Sequence, residues 1–468
     1  MRTNELDFIF KPRSIAIIGA TSDPKKYGFQ FVNCLKEKGY IGKIYPINPK
    51  GGEVLGLKIY PGFDSIEHNI DLAVVLTPAN TVPQVIQQCA KKSVKGVIII
   101  TAGFGETGKE GKKLEEEAVR IARANGIRIV GPNCLGIANL EIGLNCTPCP
   151  IVPKQKGSMG LISQSGSTLE LLFSLTEERG VYFNKVVSSG NEADLTLTDY
   201  FEYFSQDPNI SVIMMYIEGI SEKDGRRFIE LARKTTLCKP VVALKVGRTL
   251  VAERAISTHT GALVGRADLY SAVFRQFGII QAKTYEELFD FGLALSGERI
   301  PVGDRVAIVG PGGPGISTAD ILAEEGVAIS DFSQQTIEYF KEILPSFIAG
   351  LRNPLDMTPS FSMNDREKIY KAVLDDENTD GAIILTSALF YMKIFSEIIP
   401  QVYSKSSKPL FVGSIMSMKL PEIQETAKTL GRVGIPFYPS PERAAKAYSV
   451  LLRYGKYLRD LKVNKRLE

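Results

Sequence analysis

The feature that most constrains the fold is a repeated pattern of short apolar runs, ending at Gly or Pro and followed by helix-like segments. This alternation is typical of parallel β-sheets built from βαβ units. It occurs in three series along the chain. The predicted strands are 14–20, 43–48, 71–77, 96–101 and 127–131 in the first series, 157–163, 183–188, 211–217, 240–246 and 278–282 in the second, and 305–310, 326–330, 381–386, 409–412 and 435–438 in the third.

The three series predict an α/β fold of three consecutive domains. A Rossmann-like domain is expected at 1–130, followed by flavodoxin-like parallel-sheet domains at 131–298 and 299–468. The Pro-rich stretch 147–153 interrupts the pattern and predicts a linker. In such sheets, ligands bind beyond the carboxyl ends of the strands, so we expect the chemistry there.

Charge and composition exclude several classes of protein. The 56 Lys and Arg residues nearly balance the 52 Asp and Glu residues, which favours neither a nucleic-acid-binding nor a membrane-surface protein. The sequence shows no signal peptide and no transmembrane window, and six cysteines in so long a chain suit a reducing compartment. We therefore expect a cytoplasmic protein. Its two histidines, His68 and His259, exclude a three-histidine zinc centre.

The turns after the first two strands favour a phosphorylated ligand. Gly19, Ala20 and Ser22 open a helix and offer backbone N–H groups to a phosphate, although the full G-x-G-x-x-G spacing is absent. Lys50 follows the second strand, where an NAD-binding domain places an acidic residue. A lysine there suits the phosphorylated ribose of NADP or coenzyme A. A purely structural turn stays open as an alternative.

Two other motifs are rejected. The run 103–110 nearly matches the phosphate-binding loop G-x-x-x-x-G-K-[ST], but Glu110 stands where Mg²⁺ needs a hydroxyl ligand. We interpret this run as a loop that faces the same ligand as Gly19. Cys146 and Cys149 have C-x-x-C spacing, but the absence of a second pair and of a nearby histidine disfavours zinc.

The predicted second domain carries three motifs that together favour phosphoryl transfer. Ser165 and Gly166 open a helix directly after a strand, which suits either a phosphoryl group or a plain helix cap. Glu218 follows the apolar strand 211–217, where a carboxylate can orient a histidine ring. His259 lies in a stretch of small and hydroxyl residues that we interpret as a flexible loop. A surface histidine is the alternative, but the combination favours a covalent phosphoryl carrier.

Together these residues resemble the α subunit of the ADP-forming acyl-CoA synthetases, the acetate–CoA ligase branch of the succinyl-CoA synthetase superfamily. The resemblance runs along the whole chain. The segment 257–262 is similar to the family's phosphohistidine loop, and 216–219 to the site of the Glu that steadies the phosphohistidine. Ser165 and Gly166 match the helix start that binds the phosphoryl group. The segment 131–136, with Asn133, is similar to the one near the thioester and acyl phosphate.

The resemblance implies the reaction acyl-CoA + ADP + phosphate ⇌ carboxylic acid + CoA + ATP, with acetyl-CoA as the expected thioester. His259 would carry the phosphoryl group, and Glu218 would hydrogen-bond its ring. The first domain would bind coenzyme A. The residues implied are Gly19, Ala20, Ser22, Lys26, Lys50, Thr77, Pro78, Ala102, Gly103 and Phe104.

The resemblance also implies a partner. The three series account for nearly all of the chain, so the ATP-grasp domain that handles the nucleotide is expected on a separate β subunit, in an α₂β₂ heterotetramer, with Mg²⁺ bound together with ADP. The third domain is similar to the extra α/β domain of this branch. Its turn 310–315 suits a phosphate loop or packing, and two prolines without N–H groups favour packing against the partner.

Three alternatives are weighed against this prediction. A succinate–CoA ligase α subunit lacks the third domain. A non-catalytic CoA-binding regulatory protein has no need of His259, Glu218 and the Ser165–Gly166 helix start. An NADP oxidoreductase explains Lys50 but leaves His259 unexplained. The sequence leaves open which small carboxylic acid is preferred.

Overall fold

A computed structural model describes residues 5–259, 267–297, 299–344, 351–357, 363–386, 389 and 392–464, with the side chains of all but 255–259, 363–364, 393–394 and 462–464. The chain forms two compact units. The first consists of Met1–Ser174 and Tyr182–Leu288, and the second of Leu175–Val181 and Phe289–Glu468.

The first sheet is parallel and doubly wound. Its strands are β1 (Ser14–Ile18), β2 (Lys43–Ile47), β5 (Leu72–Val75), β6 (Gly96–Ile99) and β7 (Arg128–Val130), in the spatial order β2-β1-β5-β6-β7, and a small hairpin of β3 (Glu53–Val54) and β4 (Leu57–Lys58) follows β2. The helices are α1 (Asp7–Phe10), α2 (Tyr27–Glu37), α3 (Val82–Lys91) and α4 (Lys109–Ala124).

Both faces of this sheet are buried. In β1, Ile15 and Ile17 belong to one apolar cluster, whereas Ala16 and Ile18 belong to another. Successive side chains of a strand point to opposite faces, so the two clusters cover the two sides of the sheet. This double burial explains why the strands are continuous apolar runs rather than alternating ones.

The second sheet has a parallel core and an antiparallel extension. Its spatial order is β14-β13-β12-β10-β11-β8-β9, and β8 and β9 are antiparallel to their neighbours. The strands are β8 (Gly136–Asn139), β9 (Leu144–Cys146), β10 (Met159–Ser163), β11 (Phe183–Ser188), β12 (Val212–Ile217), β13 (Val241–Lys245) and β14 (Ile280–Ala282). The helices are α5 (Gly166–Arg179), α6 (Leu197–Gln206), α7 (Glu222–Thr235), α8 (Leu250–His259), α9 (Ala267–Gln276) and α10 (Tyr285–Ser296).

The third sheet is again parallel, with the order β16-β15-β17-β18-β19. Its strands are β15 (Val306–Gly310), β16 (Leu355–Asp356), β17 (Gly381–Leu385), β18 (Leu410–Gly413) and β19 (Phe437–Tyr438). The helices are α11 (Gly312–Glu324), α12 (Gln334–Ile343), α13 (Met363–Asp375), α14 (Met392–Ser404), α15 (Pro421–Arg432) and α16 (Pro441–Asn464). None of the helices within the described ranges combines the length and apolar character needed to cross a bilayer.

The α/β class with parallel sheets is confirmed, and two local predictions are wrong. Segment 147–153 is not a linker, because it connects β9 to β10 of the same sheet, and Thr147 and Cys149 within it are buried. Segment 326–330 forms only an isolated bridge between Arg305 and Ala328, while β16 takes the edge position. A two-residue edge strand is too short to produce a hydropathy pattern. The domain bounds 1–130, 131–298 and 299–468 stay a prediction.

Candidate functional site

The turns that follow the strands of the first sheet all lie at the carboxyl ends of these strands, and this side of the sheet is called here the strand-end edge. Ile18 at the end of β1 pairs with Ile47 and with Val75, and Val75 pairs with Ile99. The strands are parallel, so the turns at 19–20, 48–50, 76–78 and 100–104 emerge on the same side. This is the edge where a doubly wound sheet binds its ligand, and β1 and β5 flank the point at which the strand order reverses.

The turn after β1 is braced by β2. Gly19, with φ at +97°, and Ala20 donate their N–H groups to Ile47 O at 2.9 and 3.2 Å. Asn48 Nδ2 donates to Ala20 O at 2.8 Å, and Lys50 N donates to Asn48 Oδ1 at 3.1 Å. This network holds the exposed Lys50 beside the Gly19 turn.

Two other residues that are predicted to bind coenzyme A lie at the surface. Ser22 and Lys26 are exposed in the segment before α2, and Lys26 Nζ lies 3.9 Å from Asp23 Oδ2. Gly28 lies where α2 meets the turn, since a Cβ there would come within 2.1 Å of Gly19 O. The close approach of α2 to the Gly19 turn therefore requires a glycine at position 28.

The loops after β5 and β6 are tied together. Thr101 Oγ1 donates to Thr77 O at 2.7 Å, next to Pro78. Gly103 N and Phe104 N, which follow Ala102, donate to Glu106 Oε1 at 2.5 and 3.1 Å, and the Phe104 side chain is part of the apolar core. Glu106 thus occupies the two N–H groups, and a CoA contact by Gly103 or Phe104 stays a prediction.

A cavity of about 460 Å³ brings together predicted residues from both sheets of the first unit. Ala102 lies on one side of it, after β6. Asn133, Ser165, Gly166 and Glu218 lie on the other side. The remaining lining residues are Tyr27, Ile100, Thr101, Cys134, Leu135, Gln164, Ser167, Gly190 and Asn191.

The start of α5 presents polar groups to this cavity. Ser163 Oγ donates to Ser165 O at 2.7 Å, and the hydroxyl oxygens of Ser165 and Ser167 lie 3.2 Å apart. A Cβ on Gly166 would lie only 3.1 Å from Leu135 Cβ, so a glycine lets Leu135 pack on the helix start. The N–H groups of the first turn and the helix dipole make the start of a 14-residue helix suitable for an anion.

Glu218 lies at the switch point of the second sheet. It follows β12, which pairs with β10, and Ser163 at the end of β10 lies opposite Tyr216. Glu218 is 8% exposed. A second cavity, of about 890 Å³, is also lined by Glu218, Gln164, Gly190 and Asn191. Its walls contain the ion pairs of Arg123 and Arg128 with Asp194. Glu218 is therefore accessible from two cavities.

Three residues with left-handed backbone angles line the two cavities, Asn133 the smaller, Glu192 the larger and Gly190 both. The φ angles of Asn133, Gly190 and Glu192 are +55°, +59° and +56°. Asn133 Nδ2 donates to Asn191 Oδ1 at 3.3 Å, and Asn191 Nδ2 donates to Glu106 Oε2 at 2.5 Å. Non-glycine residues in this region are costly and persist where surrounding structure holds them, which is common at functional sites.

Glu192 was missed by the sequence analysis. Its Oε1 accepts from Ser189 Oγ at 2.6 Å and from Leu197 N at 3.0 Å. Burial raises the pKa of this carboxyl to about 7, against the hydrogen bonds that lower it. The only signal in the sequence was the Gly190–Asn191 turn after the strand 183–188.

The region of His259 differs from the predicted flexible loop. The backbone of 250–259 is helical and forms α8, which ends at His259. The His259 side chain and residues 260–266 lie outside the described residues. The predicted contact between His259 and Glu218 stays a prediction.

In the described part of the chain, no group of three or more His, Cys, Asp or Glu residues is arranged to hold a metal ion. Cys146 and Cys149 are both buried, and burial raises the pKa of the Cys149 thiol to about 11. These thiols are packed as apolar side chains.

Comparison with known proteins decides the family. Residues 13–139 match a model described as "CoA binding domain", and residues 156–295 match one described as "Succinyl-CoA ligase like flavodoxin domain". The acetate–CoA ligase [ADP-forming] II subunit alpha of Pyrococcus furiosus is 40% identical over 96% of this chain and 98% of its own length.

The chain belongs to the family of ADP-forming acetate–CoA ligase α subunits. The predicted family, the ligase class and the order of a CoA-binding domain followed by a succinyl-CoA-ligase-like flavodoxin domain are thereby confirmed. A solved member, the dinucleotide-forming acetyl-coenzyme A synthetase 1 of Ca. Korarchaeum cryptofilum in complex with phosphate and ADP, is 36% identical. It superimposes with a TM-score of 0.88 over 98% of this chain and 99% of that chain.

A longer relative of this ligase family carries additional sequence. The acetate–CoA ligase [ADP-forming] I of Archaeoglobus fulgidus is 37% identical over 96% of this chain, and the chain spans 64% of that relative's length. This chain therefore corresponds to about two thirds of the longer relative. The nearly full-length matches include the third sheet, which favours this branch over the succinate–CoA ligase alternative.

Proposed function

We propose that the chain is the acyl-transfer and phosphoryl-relay subunit of an ADP-forming acetate–CoA ligase, which converts acetyl-CoA, ADP and phosphate into acetate, CoA and ATP. The observation that carries this proposal is the cavity of about 460 Å³. It joins the strand-end edge of the CoA-binding domain to Asn133, to the start of α5 and to Glu218. A thioester held at the strand-end edge of the CoA-binding domain would reach a phosphate held at the start of α5.

In the first step, a phosphate oxygen attacks the thioester carbon, the C–S bond breaks, and CoA leaves as the thiolate while acyl phosphate forms. Ser165 and Gly166 at the start of α5 hold the phosphate, and Asn133, which lines the same cavity, orients the reacting group. Main-chain N–H groups at a helix start favour the added negative charge without reorganising.

In the second step, a ring nitrogen of His259 attacks phosphorus, the bond from phosphorus to the acyl oxygen breaks, and the carboxylic acid leaves as its anion. Glu218 accepts the N–H of the other ring nitrogen and stabilises the charged ring. An oxygen of ADP then takes the phosphoryl group, the N–P bond breaks, and His259 is regenerated together with ATP.

Coenzyme A is proposed to bind at the strand-end edge of the first sheet. Lys50 is exposed beside the Gly19 turn, and Lys26 is exposed before α2, so both ammonium groups are available for phosphates. Thr77, Pro78 and Ala102 lie on the same edge. Gly19, Ala20, Ser22, Gly103 and Phe104 complete the proposed binding residues. The N–H groups of all but Ser22 donate within the protein, so the proposed contacts of these four residues do not use their N–H groups.

The nucleotide is proposed to bind, with Mg²⁺, on a separate ATP-grasp β subunit in a cytoplasmic α₂β₂ assembly. The α designation of the Pyrococcus relative and the greater length of the Archaeoglobus relative support this division. The domain at 299–468 would contact the partner. In its segment 310–315, a Cβ on Gly310 would come within 2.5 Å of Leu385 Cβ, whereas a Cβ on Gly313 would meet open space.

The test is phosphohistidine mapping on the chain mixed with its β subunit, acetyl-CoA and radiolabelled phosphate. We expect label on the His259 peptide and none in His259→Ala. His68→Ala is the matched control, because it removes the other histidine, an exposed residue of the first unit, and should keep full labelling. Label that persists in His259→Ala would overturn the relay. Absent label in the wild type with intact CoA binding would instead support the regulatory protein.

A further inference from the structure

The backbone of the turn at 218–220, called here the Glu218 turn, is held by side chains from three other elements. Gln164 Oε1 accepts from Glu218 N at 2.6 Å and from Gly219 N at 3.0 Å, and Gln164 Nε2 donates to Gly219 O at 2.7 Å. Lys245 Nζ donates to Glu218 O at 2.8 Å. Tyr270 Oη accepts from Ile220 N at 2.9 Å. Five consecutive main-chain polar groups of the turn are thus bonded to side chains.

Gln164 links the two halves of the cavity wall. It directly precedes Ser165 and Gly166 at the start of α5, and its side chain makes three hydrogen bonds to the Glu218 turn. A shift of the turn relative to the helix start would break all three at once. The Gln164 amide therefore adds a side-chain link between the helix start and the Glu218 backbone, beside the pairing of β10 with β12.

Lys245 is costly to bury. It ends β13, its side chain is 0% exposed, and burial lowers the pKa of its ammonium group to about 8. It donates to the carbonyls of Glu218 and Val246, at 2.8 and 2.5 Å, and lies 4.8 Å from the centroid of the Tyr270 ring. A leucine or methionine would fill this space without the desolvation cost. A role in holding the turn accounts for the lysine.

We propose that Gln164, Lys245 and Tyr270 are positioning residues that hold the Glu218 carboxylate in place for the phosphohistidine relay. This inference rests on the proposed function. The three side chains bond to the backbone that carries the Glu218 carboxylate, and they act on the reaction through Glu218. Their removal should slow transfer to and from His259 while leaving coenzyme A binding intact.

The experiment measures the single-turnover rate of His259 labelling in the full chain with its β subunit. The variants are Gln164→Ala, Lys245→Met and Tyr270→Phe, with Glu218→Gln as the reference. We expect each variant to label about ten- to a hundredfold more slowly, since each leaves backbone groups without partners. The CoA dissociation constant, measured by calorimetry, should stay within about twofold of wild type, because the hydrogen bonds that are lost belong to the second sheet and coenzyme A is proposed to bind at the first.

Double variants separate positioning from general damage. If Gln164 acts through Glu218, Gln164→Ala combined with Glu218→Gln should be no slower than Glu218→Gln alone. Rates that multiply in the double variant would overturn the inference. Tyr270→Phe keeps the ring beside Lys245 and removes only one oxygen, so it provides the same comparison should Gln164→Ala or Lys245→Met fail to fold.

Asn353→Ala is the matched control. The Asn353 amide also makes three main-chain hydrogen bonds, with Ile308 N, Val306 O and Ser330 O at 2.9, 2.7 and 3.0 Å, but it does so in the third sheet. It should label at the wild-type rate. Failure of the proposed function appears as no label in the wild type. Failure of this inference appears as a labelled wild type, a slowed Glu218→Gln and unaffected variants of the three positioning residues.

Discussion

Asn191 Nδ2 lies 2.5 Å from Glu106 Oε2, so an amide in the loop after β11 is bonded to a carboxylate in the loop after β6. The same nitrogen lies 3.3 Å from Glu115 Oε2. Burial raises the pKa of Glu106, but hydrogen bonds from Gly103, Asn191 and its own backbone outweigh this, and the pKa is lowered. The ionised Glu106 thus connects the loop after β6 of the first sheet to the loop after β11 of the second.

Asn191→Asp should loosen this contact. The new carboxylate would face Glu106 and Glu115, and like charges at hydrogen-bonding distance repel. We expect the CoA dissociation constant, measured by calorimetry, to rise by about tenfold, which corresponds to about 1.4 kcal/mol. Asn209→Asp, at an exposed position, is the matched control and should bind CoA as the wild type does. Equal affinities in the two variants would contradict the prediction.

Lys50→Ala should weaken CoA binding through the loss of an exposed charge. We expect a dissociation constant about fivefold higher at low salt, with a smaller difference at high salt because exposed charges are screened. Lys43→Ala is the matched control. Lys43 is the first residue of β2 and Lys50 follows the last, so the two lysines lie at opposite ends of that strand. NADPH should not compete with CoA. If Lys50→Ala and Lys43→Ala weakened CoA binding equally, the result would indicate only a general effect of net charge and would contradict the prediction.

Glu192→Gln should change the pH dependence of stability. The pKa of Glu192, raised from its ordinary value of 4.5 to about 7, means that the folded protein binds the proton more tightly than the unfolded chain. This contribution is fully present below pH 4.5 and is lost as the pH rises through about 7. It amounts to roughly 3 kcal/mol. Glutamine keeps the acceptor for Ser189 and Leu197, so it should remove this dependence.

The measurement for Glu192→Gln is urea unfolding of both proteins between pH 4.5 and 8. The wild type should lose stability relative to the variant as the pH increases across this range. A difference in unfolding free energy that is independent of pH would show that Glu192 titrates normally in the folded protein.

Gly190→Ala should destabilise the fold by about 2 to 4 kcal/mol, because it combines strain in the left-handed region with a backbone clash. The φ angle of Gly190 is +59°, and a Cβ would come within 2.2 Å of Pro132 O. Gly225→Ala is the matched control. Gly225 lies within α7 with open space around its Cβ position, so alanine should stabilise that helix by up to about 1 kcal/mol. Thermal unfolding of both variants tests the difference, and equal shifts would contradict it.

Much of the fold was predictable because strands buried on both faces are continuous apolar runs. The strand 183–188 was predicted with its observed bounds, and most others to within two residues. The antiparallel strands β8 and β9 and the edge strand β16 were not predicted. They have only two to four residues each, which is too few to produce a clear hydropathy pattern, although β8 and β9 are neighbours in the chain and pair with each other.

For the candidate site, the sequence indicated residues that follow strands, because parallel strands deliver their carboxyl ends to a common edge. Gly19, Lys50, Ser165 and Glu218 are all of this kind. Gln164, Lys245 and Tyr270 were missed. A lysine in an apolar strand is a local anomaly, but one of its two acceptors, Glu218 O, lies 27 residues away, in the turn after another strand.

The sequence by itself determined the parallel α/β architecture, the resemblance to the ligase family and the strand-end residues. These depend on periodicity and on short motifs, which are local. Only the tertiary structure decided that Asn133, Gly166 and Glu218 line one cavity, that Glu106 occupies the N–H groups of Gly103 and Phe104, and that three side chains hold the Glu218 turn. These relationships depend on how separate segments pack, and side-chain hydrogen bonds between distant segments form only once the sheets are assembled.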